Sequence, residues 1–114
     1  MSPVLIELPP VPGDPAGMRA LAAALRADAS GLGESAAAVR ARIDSLEFYG
    51  PAADRIEARV GSACKTCTLV AERLLLVAAA LERGASAVEA AQRERLRKLD
   101  EMRREAAQTA AGIH

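Results

Sequence analysis

The sequence predicts an all-α fold: an antiparallel two-helix hairpin, a helix-turn-helix coiled coil suited to pair into a four-helix bundle. Three observations carry this. Hydrophobic residues make up 51% of the chain and aromatics only 2%, so the apolar content is Ala, Leu and Val rather than the β-branched and aromatic mixture of strands. Ala, Leu, Arg and Glu, all abundant here, are strong helix formers. Two long stretches repeat apolar residues at steps of three and four, the spacing of a coiled coil, and one short interruption separates them.

Residues 1–13 hold Pro3, Pro9, Pro10 and Pro12, which block helix and favour extended chain. Asp14-Pro15 is a helix start: Asp caps the free N–H groups, and Pro fits the first helical position, where its missing N–H costs nothing. The first seam runs Met18, Leu21, Leu25, Ala29, Leu32, Ala36, Val39, Ile43 and Leu46, predicting a helix over 14–47. Phe48-Tyr49-Gly50 is the turn, and Pro51 opens the next helix, with Asp54 in its first turn where the helix dipole favours an acid.

The second seam reads Ile56, Val60, Ala63, Cys67, Val70, Leu74, Val77, Leu81, Ala85 and Val88. It continues more weakly through Ala91, Arg95, Leu99, Met102 and Ala106. This predicts a helix over 51–108, either continuous or broken near Gly84, within a hairpin domain spanning 14–110. So short a turn makes the helices antiparallel. Asp14 then falls level with Gly84, and residues 85–108 project by roughly 36 Å if helical. The N-terminal segment is expected to run back along that projection, with Val4, Leu5 and Ile6 covering part of it. Gly31 falls opposite Cys67, where close backbone approach is one explanation for a mid-helix glycine and tolerated weakness the other.

The residues point away from catalysis, cofactors and metals. The only histidine is His114, so a nucleophile has no base to activate it. Cys64-Lys65-Thr66-Cys67 spells C-x-x-C, but redox motifs of this kind open a helix, and this one lies well inside. A zinc site needs two further ligands. Both thiols are read as small core residues. Net charge is zero, and Arg93, Arg95, Arg97, Lys98, Arg103 and Arg104 are interleaved with acids three or four residues away. A nucleic-acid-binding helical protein is therefore the weakest reading. No apolar run is long enough to span a membrane, and the N-terminus lacks a secretory signal pattern.

One excess stands out. With Val70, Leu74, Val77 and Leu81 assigned to the seam, Leu69, Leu75 and Leu76, together with Ala78, Ala79 and Ala80, make the second helix apolar on more than one face. A lone hairpin buries only one. Leu69, Leu75, Leu76, Ala79 and Ala80 are therefore the expected partner interface.

The turn Phe48-Tyr49-Gly50-Pro51, followed by Ala52-Ala53-Asp54 and preceded by Gly13-Asp14-Pro15 with its Ala- and Leu-rich turns, resembles the WXG (Trp-X-Gly) proteins of type VII (ESX) secretion across about residues 13–90. Phe48 stands where that family has Trp. The resemblance implies a bundle of two hairpins, like or unlike. Its partners would be the chain itself or a paralogous hairpin, then a larger secreted effector or a secretion ATPase. It implies export without a cleaved signal. Family members or their partners often carry Tyr-x-x-x-Asp/Glu after the second helix. The only tyrosine here is Tyr49, which leaves a cytoplasmic coiled-coil adaptor or chaperone as the alternative.

Overall fold

The computed structural model describes residues 8–112 and consists of two helices, α1 (Pro15–Asp44) and α2 (Pro51–Gly112). They form a hairpin rod with extents of 97 × 17 × 14 Å. Asp14 caps α1 through its carboxylate, which accepts from the Gly17 N–H at 3.0 Å, and Pro15 occupies the first turn. Gly17 suits the place because a Cβ there would collide with that carboxylate. Gly13 enters the cap at φ +136°, a conformation that disfavours a side chain, and an added Cβ would lie 2.8 Å from Val88.

α1 ends at Asp44, three residues before the predicted limit. The Ser45 N–H bonds to the Ala41 carbonyl, its hydroxyl donates to the Arg42 carbonyl at 2.8 Å, and the Leu46 N–H bonds to Ile43. These bonds use up the last carbonyls and divert the chain before Leu46 can join the seam; Leu46 stays exposed. Gly50, at φ +104°, reverses the chain. The Asp54 N–H then bonds to the Gly50 carbonyl at 3.0 Å as α2 begins. From there α2 runs unbroken for 62 residues, through Gly84.

The seam differs from the predicted one by a choice of column. Leu21, Ile56, Val70 and Val77 lie outside it and are exposed, as are Ala63 and Ala91. In their place sit Ala22, Ala71, Ala78 and Cys64, with Ala29 and Ala85; Ala22 is 1% exposed and Ala78 and Ala85 are 0%. On α2 these positions give a strict seven-residue repeat: Cys64, Ala71, Ala78, Ala85, Gln92 and Leu99 in one column, Cys67, Leu74, Leu81, Val88, Arg95 and Met102 in the other. On α1 the columns are Pro15, Ala22, Ala29, Ala36 and Met18, Leu25, Leu32.

Contacts across the seam fix the register. A Cβ on Gly84 would meet Met18, one on Gly61 would meet Arg40, and the Cys64 thiol donates to the Ala36 carbonyl at 3.6 Å. Facing residue numbers thus add to about 101, so alanine layers (Ala22 by Ala78, Ala29 by Ala71) alternate with layers of Leu and Met. Small layers let two helices close on each other, and the tight spacing excludes water from the alanines. Met18, rather than Asp14, is level with Gly84, so α1 covers about one more turn of α2 than predicted. Gly31 has nothing within 4 Å of an added Cβ and is exposed, so close approach to Cys67 does not explain it.

Beyond Gly13 the extended chain runs back along α2. Gln92 donates its amide to the carbonyls of Val11 (3.3 Å) and Gly13 (3.4 Å). Arg95 donates to those of Leu8 (3.0 Å) and Pro9 (3.1 Å). The seam turns polar where its partner changes from a helix with satisfied carbonyls to a proline-rich strap with free ones. Val4, Leu5 and Ile6 lie outside the described residues.

Candidate interaction surface

The two flanks beside the seam have opposite chemistry. On one, Arg19 pairs with Glu89 and Arg26 with Glu82 across the helices, the Arg26 Nε–Glu82 distance being 2.8 Å. The hydrogen bond from Arg19 holds the Glu89 carboxyl below the usual carboxylate range and raises the Arg19 guanidinium. Between Arg19 and Arg26 on α1, and Glu82 and Glu89 on α2, this flank is closed by charges from the chain itself.

The other flank carries the side chains that the predicted seam had claimed. Leu21 is 51% exposed, Val70 42% and Val77 50%, with Ile56 in the same column. Beside them lie small residues, Ala80 and Ala87 on α2 and Ala24, Gly31 and Ala38 on α1. The predicted seam took the column of larger side chains. The signal that finds this flank is the uninterrupted repeat of Ala71, Ala78 and Ala85, which only a close-packed seam requires.

The predicted interface residues do not share one face. Leu69 and Leu76 point directly away from α1, Leu76 being 69% exposed. Leu75 lies toward the charged flank and is 41% exposed, Ala79 is half-buried and Ala80 stands on the apolar flank. Between Leu69 and Ala80, α2 is therefore apolar around most of its circumference. The accessible surface is 8775 Å², whereas a compact chain of this mass exposes about 5,900 Å². The excess is larger than the about 800 Å² per partner of a standard protein interface.

Of the turn motif, Phe48 is half-buried, Gly50 makes the reversal, Pro51 opens α2 and Tyr49 projects into solvent. Cys64 and Cys67 are free and half-buried in the seam, where with Ser35, Ala36, Val39, Val60 and Ala63 they line a groove of about 170 Å³. On the projecting end of α2, Arg97 bonds Glu94 and Glu101, and Arg104 bonds Asp100 at 3.2 Å. Glu94 is held below its ordinary range by Arg97. Arg97 and Arg104 of the basic stretch are thus paired along their own helix. Among the described residues no three His, Cys, Asp or Glu side chains gather into a metal-ligand set, and no helix is long and apolar enough to cross a membrane. None of the known family models matches the chain, and no curated protein or solved structure is similar to it.

Proposed function

We propose that the chain is a partner-binding protein that acts by pairing its hairpin with another, in the manner of the WXG-like substrates and targeting partners of type VII secretion. The observation that carries the pairing is the apolar girdle of α2 from Leu69 to Val77, which α1 covers on one side only. Each Leu buried from water contributes roughly 1.5–3 kcal/mol, so a few suffice to hold an assembly. The aromatic-x-Gly reversal at the tip and the two long helices support the secretion reading by likeness alone. The absence of Tyr-x-x-x-Asp/Glu in the sequence favours a second reading, a cytoplasmic adaptor that pairs with an effector and is not itself exported.

Pairing is tested by light scattering after gel filtration, with circular dichroism on the same sample. A helical dimer, or a stoichiometric complex with a hairpin protein encoded beside it, is expected. A folded monomer that joins neither itself nor such a protein would remove the proposal. Export is tested separately: ATPase-dependent appearance in culture filtrate supports the secretion reading, and retention in the cell with pairing intact supports the adaptor.

A further inference from the structure

We propose that Cys64 and Cys67 form a two-coordinate site for a soft monovalent metal ion, Cu(I), held between their sulfurs on the seam face of α2. The site goes beyond pairing, because both ligands come from one chain. The two residues stand three apart in adjoining seam columns, which sets their Cβ atoms about 5–6 Å apart on one face of the helix. A disulfide needs Cβ atoms about 3.5–4.5 Å apart, so closing one here would distort the turn, and both thiols are free. A single ion spans the longer gap, since a metal–sulfur bond is about 2.3 Å in zinc–thiolate sites. The helix opposite leaves space: Ser35 and Ala36 are small, and the groove they line with both cysteines is about 170 Å³.

The surroundings choose the metal. Val39, Val60 and Ala63 complete that groove, which brings no carboxylate and no imidazole. Zinc takes four ligands, and hard ions take oxygen. Two thiolates in apolar surroundings suit Cu(I), which soft sulfur ligands select.

Charge points the same way from a different residue. Coordination deprotonates both thiols: the protons pass to solvent, two sulfur–metal bonds form and no electron moves. Two thiolates around one Cu(I) leave a net negative charge, and a cation stands beside it. Arg19, Arg26 and Arg40 share one heptad column of α1. The first two pair across the helices with Glu89 and Glu82. Arg40 meets Gly61 instead, where an added Cβ would lie 3.1 Å from its guanidinium. Its one carboxylate partner among the described residues is Asp44, at 3.9 Å on its own helix. Gly61 precedes Cys64 by one turn, and Arg40 and Lys65 line a second groove with Cys64 and one acid, Glu57. The Cys64 thiol donates to the Ala36 carbonyl at 3.6 Å. When the ion replaces that proton, the carbonyl keeps its bond along α1.

The test titrates the reduced full chain, without oxygen, against Cu(I) buffered by bathocuproine disulfonate, whose colour fades as the ion leaves it. One ion per chain is expected, with two sulfurs and no nitrogen or oxygen around it in X-ray absorption. Excess Zn(II) should not displace it. Cys64→Ala puts into that column the residue it already has at Ala71, Ala78 and Ala85, so the fold is kept, and circular dichroism checks this for every variant. Losing an outer-shell partner costs a metal site about 10–100-fold in affinity, so Arg40→Gln is expected to weaken binding about tenfold, and Cys64→Ala and Cys67→Ser about a hundredfold or more each. Binding that survives the cysteine variants, one ion shared by two chains, a nitrogen or oxygen ligand, or displacement by Zn(II) overturns the site. An affinity unmoved by Arg40→Gln overturns the part assigned to charge.

Discussion

Asp14, Gln92 and Arg95 do the most specific work of any side chains, and each serves backbone rather than another side chain. Asp14 takes the Gly17 N–H, while Gln92 and Arg95 occupy heptad core positions and spend their donors on strap carbonyls. The Asp14 cap was legible, since Asp-Pro before an amphipathic run has a single local meaning. The role of Arg95 was not, because its partner lies 87 residues away and nothing local announces it. Glu89 yields a prediction at this scale. Arg19 lowers its folded pKa, so the unfolded chain binds the proton more tightly. The stabilisation is complete above the ordinary value of 4.5 and is lost as pH falls through the depressed folded value. In thermal melts from neutral pH into acid, Glu89→Gln is expected to flatten the fall in melting temperature, with the two proteins converging at the acid end. Parallel curves would mean that the pair contributes nothing to folding.

At the scale of the element, the decisive fact is which column each helix buries. Two apolar columns run side by side on α2, one rich in Val and Ile, the other in Ala, and both obey steps of three and four. Periodicity alone does not choose between them, and the predicted seam followed the column with Ile56, Val70 and Val77 inside. The packed hairpin chose alanine because alanine layers let the backbones approach. The cost of filling one follows from that. Ala78→Leu forces a large side chain into a site with no exposed area and is expected to lower stability by about 1–3 kcal/mol or more, measured by urea unfolding. Were Leu tolerated there, the helices would be farther apart than described. Helix existence, the start of each helix and the Gly50-Pro51 reversal were readable because capping and breaking residues act locally. The end of α1 was not, because the Ser45 bonds compete with a periodic pattern that continues past them.

For the whole molecule, the shape departs from what its length implies. The radius of gyration is 27.4 Å, against about 13 Å for a compact chain of this size. Among the described residues every long-range contact between helices joins α1 to α2 and no central core forms, so a change at one level touches few others. Topology was legible from a single turn. What covers the apolar girdle was not, because the sequence records one chain's surface and not its neighbour's. That is why the pairing rests on exposed area.

The reversal at Gly50 also sets an order in time. Contacts near the tip close short loops, as where Cys64 meets Ala36 across 28 residues; Arg26 to Glu82 spans 56 and Arg95 to Leu8 spans 87. Each closure shortens the loop left for the next, so closing the far end first would cost more chain entropy than zipping up from the tip. The rod therefore forms from Gly50 outward and frays from its open end. Amide hydrogen exchange on the native protein should show protection of α1 falling from the residues near Ala36 toward Pro15. Uniform protection along α1 would mean that the hairpin opens in a single step.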